Sequence, residues 1–291
     1  MPELPEVEIT ARRLATALGG VEIESAMAPG MVAVKSIAPP LSALAGRRIE
    51  TVSRVGKMPV VEIAASGVEE GGDGPLSLLV HMMSAGRFQL FDKRATMKDK
   101  KSRVLIRVPE DRELRLREFG TKQRAWVRLM PAAELPAEEM VATLGPEAWP
   151  APPLPELEAA IDQPRALHPL LRDQRRISGI GRSWVDEILW EARLSPFKRG
   201  ADLDSDEVGR LYDALAVLDR AITHYEALIG GKVPDKMPMP LQVHRRHGEP
   251  CPRCCATLEA VHYADYVMSY CPADQTDGKV LKDRRLSRLL K

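Results

Sequence analysis

The segment MPELPEVE, residues 1–8, puts three carboxylates beside a proline at the second position of the chain. A small second residue permits removal of Met1, and Pro2 would then carry a free secondary amine. Because an α-amine is less basic than a lysine side chain, more of it is neutral and nucleophilic at pH 7. Glu3 can act as a general acid or base, and Glu6, about one turn further on, can hold hydrogen bonds or a water molecule. The segment therefore suits covalent catalysis by an amine, and a merely capped helix is the alternative.

The cysteines all lie late in the chain, at Cys251, Cys254, Cys255 and Cys271. Two CxxC knuckles at this separation, 16 residues, would be a strong zinc signal, but the second knuckle here reads CPAD and ends in Asp274. Zinc accepts carboxylate oxygen, so one ligand set is Cys251, Cys254, Cys271 and Asp274. Cys255 and His262 are alternative fourth ligands. A metal-free hairpin with small buried thiols is the alternative to a metal site.

The segment GIGRS, residues 179–183, is a second candidate site. Glycines beside a helix start let backbone N–H groups approach an anion, although most such glycines only form turns. Three arginines in the preceding segment LRDQRR add positive charge, as a phosphate clamp requires. Gly181 and Arg182 are therefore candidate phosphate-binding residues.

A helix over about residues 5–18 must position the amine and the carboxylates. Pro5 suits the first turn of a helix, apolar residues recur at helical spacing, and Gly19-Gly20 provides a stop. The early glutamates and the later arginines suit the helix dipole, whose positive end would lower the pKa of the Pro2 amine further.

The rest of the first half of the chain has the pattern of a β-domain. Turn-like segments such as EEGGDG at 69–74 separate short β-type runs, which are SRVGKMPVVEI, LSLLVHMM, RFQLF, SRVLIRV, ELRLREF and RAWVRLM. This pattern predicts an antiparallel sandwich or barrel. Residues 131–155 then hold seven prolines in 25 positions, which predicts a semi-rigid linker at a domain boundary.

Residues from about 156 to 230 have helical patterns. LHPLLRDQ and WVDEILWEARL flank the turn RRISGIGRS, and SDEVGRLYDALAVLDRAITHYEALI predicts one longer helix with Ser205 as its cap. After the cysteine region, the last 13 residues, KVLKDRRLSRLLK, carry six basic groups and one acidic group.

Composition narrows the class of protein. The length of 291 residues predicts about two domains, and 44% hydrophobic with 29% charged residues is typical of soluble globular proteins. No stretch approaches 18 uninterrupted apolar residues, and the acidic start has no apolar region of a signal peptide, so we expect a cytoplasmic protein. The net charge is only +1, so a surface for a polyanion must come from local basic clusters.

Four features occur here in one order: MPELPEVE, the GIG turn between helices, LQVHRRHGEPC and the late cysteine region. Together they resemble the formamidopyrimidine-DNA glycosylase / endonuclease VIII family over nearly the whole chain. The resemblance implies an α+β multidomain protein, with an N-terminal antiparallel β-sandwich and helix followed by a helical domain and a zinc ribbon. The corresponding segments are a catalytic domain at 1–130, the Pro-rich linker at 131–155, a helix–two-turn–helix DNA-binding domain at 156–242, and a zinc-finger-like region with a basic tail at 243–291.

The resemblance also implies a function. A base excision repair enzyme of this kind is a bifunctional DNA glycosylase/AP lyase with one structural zinc ion. It acts as a monomer on damaged double-stranded DNA, which lies in the cleft between the domains with the lesion flipped out of the stack. Pro2 would form a Schiff base at the sugar C1′, with Glu3 as proton donor and Glu6 in support, and the strand would be cut by β- or β,δ-elimination. Lys57, in VGKMPVVEI, corresponds to a hairpin lysine that contacts the lesion phosphate and supports catalysis.

Further residues are expected to bind DNA by the same resemblance. In HMMSAGRF, His81 and either Met82 or Met83 correspond, displaced by about one place, to a loop whose methionine fills the gap left by the flipped base. Core packing is the alternative for both methionines. In LREFGTK, Arg117 and Phe119 correspond to residues that insert opposite the lesion. Glu187 matches an acidic residue of the second helix and is expected to be structural or to support the site.

Three positions depart from the family pattern. Arg182 stands where the family has an asparagine that grips a lesion phosphate, and arginine can bind phosphate by charge but with another geometry. Tyr266 stands where a finger arginine is expected, and it can stack or hydrogen-bond but supplies no charge. Asp274 replaces the last zinc cysteine. Positive charge could instead come from Lys279, Arg284 or Arg285.

The expected substrate follows from a short loop. About nine residues separate Gly231 from LQVH, whereas family members specialised for 8-oxoguanine carry a longer loop there. The short loop favours oxidised pyrimidines and abasic sites. One alternative is an enzyme for unusual adducts or crosslinks, to which Arg182 and Tyr266 would be adaptations. Another is a catalytically weak member that binds DNA damage.

Overall fold

The computed structural model describes residues 2–29, 31–66 and 74–282, which form two compact units. The first unit comprises Met1–Thr143 and His224–Pro238, and the second comprises Leu144–Thr223 and Met239–Lys291. The boundary after Thr143 falls inside the Pro-rich segment, and a stretch of the expected helical domain belongs to the first unit. Most of the turn at 69–74 and most of the basic tail, including Arg284 and Arg285, lie outside the described residues.

The first unit begins with helix α1, Leu4–Leu18. Its apolar residues at helical spacing are buried, among them Val7, Leu14 and Leu18. Glu3 is the N-cap, and Glu3 and Glu6 close a capping box, which satisfies N–H groups that the first turn leaves without partners. The helix ends at Gly19, whose N–H bonds to the carbonyl of Ala15 at 2.9 Å. The helix therefore starts one residue earlier than the sequence pattern predicts.

Two four-stranded antiparallel sheets follow α1. Their strands are β1 (Ser25–Met27), β2 (Ile49–Val55), β3 (Met58–Ile63), β4 (Leu76–His81), β5 (Gly86–Phe91), β6 (Ser102–Arg107), β7 (Glu113–Glu118) and β8 (Trp126–Pro131). The sheet orders are β1-β6-β7-β5 and β2-β3-β4-β8. The run SRVGKMPVVEI is a hairpin of β2 and β3, because Gly56 and Lys57 form a two-residue turn at which Val55 faces Met58.

One hydrophobic core joins α1 to both sheets. It includes Val7 of α1, Val61 and Leu78 of one sheet, and Phe88 and Leu116 of the other. Because side chains from both sheets share this cluster, the strands form a sandwich, as predicted. A short helix, α2 (Glu139–Ala142), follows β8 within the Pro-rich segment.

The second unit is helical before it reaches the cysteines. Its helices are α3 (Leu154–Ile161), α4 (Leu167–Leu171), α5 (Arg182–Glu191), α6 (Ser205–Ala214) and α7 (Ala216–Leu228), the last residues of which belong to the first unit. The single long helix predicted over 205–229 is wrong, since it is broken between α6 and α7 at Leu215. The cap of α6 is Asp204, not Ser205, because the Asp204 carboxylate accepts the N–H of Glu207 at 2.8 Å.

A short antiparallel hairpin carries the cysteine region. It consists of β9 (Glu259–His262) and β10 (Val267–Tyr270), followed by the four-residue helix α8 (Pro272–Gln275). The sandwich, the helical region and this hairpin make up the α+β fold class predicted from the sequence, which is confirmed. Among the described residues, no helix combines the length and the apolar character that a membrane span requires.

Candidate functional site

Two buried carboxylates directly follow Pro2. Glu3 is 2% exposed and Glu6 is 3% exposed, and Pro2 itself is buried. The Glu3 N–H donates to Glu6 Oε2 at 2.9 Å, and the capping box holds both side chains at the N-terminal end of α1. The first turn of the helix therefore fixes the two predicted acid–base groups beside the predicted nucleophile.

Tyr225 of α7 holds the second oxygen of Glu6. Its hydroxyl donates to Glu6 Oε1 at 2.7 Å, and its side chain is fully buried. The pKa of Tyr225 is raised well above its usual value by burial, and further by the negative charges of Glu6 and Glu3. The phenol is therefore a fixed donor. Sequence reasoning missed Tyr225, because it lies among the apolar positions of an amphipathic helix and looks like a core residue.

Three basic or imidazole side chains of the sandwich influence one another or this acidic pair. Lys57 occupies the β2–β3 turn, where Gly56 has a φ of 55°. The pKa of His81, at the end of β4, is lowered mainly by burial and also by the charge of Lys57. The pKa of Arg87 is lowered by burial, against opposing effects from Asp235 and Glu6. The pKa of the predicted His81 therefore responds to the charge of the predicted Lys57, and that of Arg87, a residue absent from the prediction, responds to Glu6.

His81 has a defined tautomer and a defined ring contact. Its Nδ1 accepts the Met83 N–H at 3.1 Å, which leaves the proton of the neutral ring on Nε2. Its ring stacks on Trp126 with centroids 5.3 Å apart. The lowered pKa agrees with this arrangement, since a protonated ring could not accept that bond.

The two candidate methionines have different environments. Met82 is 4% exposed and belongs to the sandwich core, whereas Met83 is half-buried in a turn with a φ of 50°. The backbone turns tightly here: a Cβ on Gly86 would lie 2.2 Å from the Met82 carbonyl oxygen, so only glycine fits. Of the two methionines, Met82 is a core residue, and Met83 is the one exposed enough to reach a bound partner.

Arg117 and Phe119 come together at the end of β7. The Arg117 guanidinium lies 4.8 Å from the centre of the Phe119 ring and donates to Asp235 Oδ1 at 3.0 Å. Phe119 is 39% exposed, an unusual exposure for a large apolar side chain. Asp235 also accepts from Gln89 at 3.0 Å. The residue pair predicted from LREFGTK is thus held by the short segment that follows α7.

In the second unit, the predicted Gly181, Arg182 and Tyr266 lie in one neighbourhood. Gly181 is the N-cap of α5, and Arg182 is its first residue. The Arg182 guanidinium lies 5.2 Å from the centre of the Tyr266 ring, and that of Arg172 lies 4.3 Å from it. The Arg182 side chain also pairs with Asp265. One tyrosine ring therefore carries two guanidinium groups beside the positive end of a helix.

Glu187 of α5 has a structural role. Its carboxylate is 2% exposed and accepts three backbone N–H groups, from Gln242, Val243 and His244, at 2.8–2.9 Å. Burial raises the pKa of the Glu187 carboxyl, against the opposing effect of these hydrogen bonds. Glu187 thereby fastens the QVH segment to α5, which accounts for the expectation that it supports the fold.

Three of the four predicted metal ligands are brought together. The Sγ atoms of Cys251, Cys254 and Cys271 all lie within 4.8 Å of one another. Burial opposes ionisation of Cys251, but its pKa is lowered overall by the N–H groups of Arg253 and Cys254 and by the indole of Trp190. The three thiols fit three positions of a tetrahedral thiolate site for a soft divalent ion such as zinc.

The fourth predicted ligand does not join this group. The Asp274 carboxylate pairs with Arg253 and, at 3.7 Å, with Arg193, so its charge is neutralised away from the thiols. Nor do the alternatives join it: Cys255 is exposed in a left-handed backbone conformation, and the exposed His262 ring packs edge-on against His247. Asp274 as a ligand stays a prediction, and in this structure its carboxylate has arginine partners that the spacing rule does not consider.

Comparison with known proteins agrees with this arrangement. The formamidopyrimidine-DNA glycosylase N-terminal domain family matches residues 1–122, and the formamidopyrimidine-DNA glycosylase H2TH domain family matches residues 150–230. A formamidopyrimidine-DNA glycosylase of Roseiflexus sp. is 31% identical and covers 94% of this chain and 100% of its own length. An uncharacterised formamidopyrimidine-DNA glycosylase-like protein of Mycobacterium tuberculosis is 41% identical over 123 residues, which is 42% of this chain and 78% of its own.

A solved structure is similar over the same length. Lactococcus lactis Fpg, in a complex with DNA containing N7-benzyl-Fapy-dG, has a TM-score of 0.81 and 25% identity, and covers 94% of this chain and 100% of its own. The two domain families together match most of the chain, and the Roseiflexus relative matches nearly all of it. The chain therefore belongs to the formamidopyrimidine-DNA glycosylase family of DNA repair glycosylases.

Proposed function

We propose that the chain is a bifunctional DNA glycosylase and AP lyase in which Pro2, once Met1 is removed, is the nucleophile. The observation that carries the proposal is the pair of buried carboxylates, Glu3 and Glu6, fixed at the start of α1 directly after Pro2. An amine nucleophile flanked by acid–base groups is what excision with a covalent intermediate requires.

The chemistry proceeds in two stages. The Pro2 nitrogen attacks the sugar C1′ of the damaged nucleotide, a C–N bond forms, and the bond to the base breaks with its electrons leaving on the base, which takes up the proton that the amine loses. Glu3 donates a proton to the sugar ring oxygen, which opens the ring and gives an iminium. The iminium makes the C2′ protons acidic, so a base can remove one while the C3′–O bond breaks. A second elimination at C5′ gives the β,δ outcome, in which Lys57 serves as a proton donor.

Other side chains are proposed to hold the DNA. In the first unit we assign the lesion phosphate to Lys57, the space left by the flipped nucleotide to Met83, and the base opposite to Arg117 and Phe119. The burial of Met82 supports a core role for it, and His81 supports the loop between β4 and β5. In the second unit we assign backbone phosphates to the N-terminus of α5 and to Arg182 on its Tyr266 platform.

The proposed substrate class rests on the segment between α7 and LQVH, residues 229–240. This segment is short, and Gln89 holds it to β5 by donating to the Val233 carbonyl at 2.8 Å. Arg87 also donates to the Asp235 carbonyl at 2.7 Å. A short, anchored segment leaves no long loop to cap a purine, which supports oxidised pyrimidines and abasic sites as substrates. We further propose that the enzyme acts as a monomer with one zinc ion, in the cytoplasm and on the nucleoid when bound to DNA.

Borohydride trapping tests the proposed function. An abasic duplex incubated with the protein and borohydride should give a covalent complex, because reduction fixes the iminium as a stable amine. Digestion of the complex and mass spectrometry should place the sugar adduct on residue 2. Absence of an adduct, or an adduct on a lysine, would rule out the proposed mechanism. Tight binding without trapping would instead support the rival, a damage-binding member of the family.

The arrangement of arginines around Tyr266 favours a second candidate substrate class, unusual adducts or crosslinks. The family pattern has an asparagine at position 182 and an arginine at position 266, whereas here the guanidinium groups of Arg172 and Arg182 lie over the ring of Tyr266. A phosphate site altered in this way would suit an adduct or crosslink that changes the path of the DNA backbone. A panel of duplexes should therefore include oxidised pyrimidines, 8-oxoguanine, abasic sites and crosslinks. We expect the largest kcat/KM on an oxidised pyrimidine or an abasic site, and a crosslink as best substrate would favour the rival.

The Arg182→Ala variant should weaken binding to DNA of any sequence by about tenfold, as expected when one phosphate contact is lost. The slope of log K against log salt should fall by about one. Fluorescence anisotropy with an abasic-analogue duplex over a salt series measures both quantities. Arg199→Ala is the matched control, because Arg199 pairs with Asp202 on the surface. Equal slopes for the wild type and Arg182→Ala would contradict the assignment.

The Tyr225→Phe variant should lower kcat/KM by about tenfold. The change keeps the buried ring but removes the hydroxyl that donates to Glu6, and a hydrogen bond to a charged group contributes about 1.5–3 kcal/mol. Single-turnover excision kinetics measure the loss. Tyr212→Phe, on α6, is the control for phenol removal. An unchanged rate in Tyr225→Phe would mean that Glu6 takes no part in the rate-limiting step.

A further inference from the structure

The C-terminal hairpin contains an ion pair that links the same two chain segments as the metal site. Arg253 lies between the first two cysteines in the sequence CPRC, and Asp274 lies just after the third in CPAD. The Arg253 guanidinium donates to Asp274 Oδ2, and the Asp274 side chain is 11% exposed. A metal with a ligand at residue 274 would join these two segments, and here the ion pair already joins them.

Arg253 is held firmly in this position. Its guanidinium lies 4.1 Å from the centre of the Trp190 ring and donates to the Trp190 carbonyl at 3.0 Å. It also lies 3.4 Å from a Glu191 carboxylate oxygen. Trp190 and Glu191 are the last residues of α5, where a helix leaves carbonyl groups without partners and favours positive charge. Arg253 therefore holds the CPRC segment against the C-terminal end of α5, in a position where its guanidinium contacts Asp274.

The turn that carries Asp274 is fixed as well. The Cys271 N–H donates to Gln275 Oε1 at 2.8 Å, and Gln275 Nε2 donates to the Leu194 carbonyl at 2.9 Å. Both Gln275 and Cys271 are buried. The turn is held by buried contacts and Arg253 by partly buried ones, so a move of the Asp274 carboxylate to the thiols would break its ion pair and leave Arg253 with only the Glu191 carboxylate at 3.4 Å.

We propose that the hairpin binds one soft divalent ion through Cys251, Cys254 and Cys271 alone, and that the fourth position on the ion takes a small ligand from solution. Asp274 is not a ligand in this arrangement. Its ion pair with Arg253 links the CPRC and CPAD segments, as a fourth protein ligand at residue 274 would in a closed site. Cys254 is exposed while the other two thiols are buried, so solvent reaches the ion from the side of Cys254. Three thiolates on a divalent ion leave one negative charge, beside which the Arg253–Asp274 pair is neutral.

Cobalt substitution in the full chain tests the proposal, because the d–d absorption of Co²⁺ reports the number and kind of its ligands. The probe for an open position is 2-mercaptoethanol. We expect one Co²⁺ per chain and a d–d spectrum that shifts when the thiol is added. The Asp274→Asn variant should give the same starting spectrum and the same shift. Asp274→Cys should start from a shifted spectrum and should not respond to the thiol.

The opposite pattern overturns the proposal. A wild-type spectrum that ignores the thiol, together with a changed spectrum in Asp274→Asn, would make Asp274 a ligand. Failure of the wild type to bind Co²⁺ would remove the metal site altogether. These readouts use no enzyme activity, so they succeed or fail independently of the proposed function.

A stability measurement on the metal-free protein keeps the test decisive if Asp274→Cys does not fold. Asp274→Asn and Arg253→Met each remove the ion pair, and methionine retains an apolar side chain against Trp190. We expect both to lower the melting temperature of the metal-free protein and to be non-additive when combined, since they remove the same interaction. Loss of stability only in the metal-loaded protein, or full additivity, would contradict the assigned role of the pair.

Discussion

A Glu3→Gln variant should excise damaged bases about 10²- to 10⁴-fold more slowly than the wild type, the usual contribution of a positioned general acid or base. The amide cannot donate a proton to the sugar ring oxygen as a carboxylic acid can. It does retain a carbonyl oxygen that can accept the N–H of Glu6, so the start of α1 should survive. Single-turnover excision from a lesion-bearing duplex measures the rate, and circular dichroism shows whether the fold is kept.

Glu8→Gln is the matched control for Glu3→Gln. Glu8 lies on the same helix and pairs with Arg12 and Arg54, so its loss removes a carboxylate of α1 without touching the proposed site. We expect excision by Glu8→Gln within a factor of about three of the wild type, since the amide keeps an oxygen that can accept from Arg54, whose pair with Glu8 is largely buried. Equal losses in the two variants would show that charge on α1, and not proton transfer by Glu3, sets the rate.

The Glu187→Ala variant should be less stable than the wild type by about 3 kcal/mol, because each buried N–H left without an acceptor costs about 1–3 kcal/mol. The Glu187 carboxylate accepts the N–H groups of Gln242, Val243 and His244, the last two of them buried. Urea unfolding followed by tryptophan fluorescence measures the change. Three of the four tryptophans, Trp149, Trp184 and Trp190, belong to this unit, so the signal reports mainly on it.

Glu187→Gln provides the graded control. One carbonyl oxygen remains, and in place of Oε1 it can still accept the N–H groups of Val243 and His244, so the loss should be smaller than in Glu187→Ala. If Glu187→Ala were as stable as the wild type but inactive, Glu187 would have to act in catalysis and not in the fold.

Most of the sandwich was predictable because its strands are bounded by strong local signals. Alternating apolar residues and turn segments located β3 to β8 to within a few residues. β1 was missed, since a strand of three residues is too short to show a period. The break at Leu215 was missed as well, because the apolar pattern continues through α6 and α7, and no proline or glycine stands at the break.

The site was predictable where its residues are neighbours in the sequence. Pro2 and Glu3 directly precede α1 and Glu6 lies in its first turn, so their proximity follows from local geometry. Tyr225 is 219 residues from Glu6, and nothing in its own helix distinguishes it from a core tyrosine. The surroundings of Asp274 could not be predicted, for a related reason. Ligand spacing predicted its place in the chain, but its partner Arg253 comes from tertiary packing against Trp190.

The capping box at the start of α1 has an evolutionary consequence. Helix initiation depends on Glu3 and Glu6, of which Glu3 is the proposed proton donor and Glu6 its proposed support. Selection for a folded protein would retain both, even in a lineage that no longer repaired anything. The ring nitrogen of Pro2 takes no part in the capping box. We therefore expect a descendant that has lost activity to keep Glu3 and Glu6 but to have another residue in place of Pro2. Substitution at the second position would be the first sign in the sequence that catalysis has been lost.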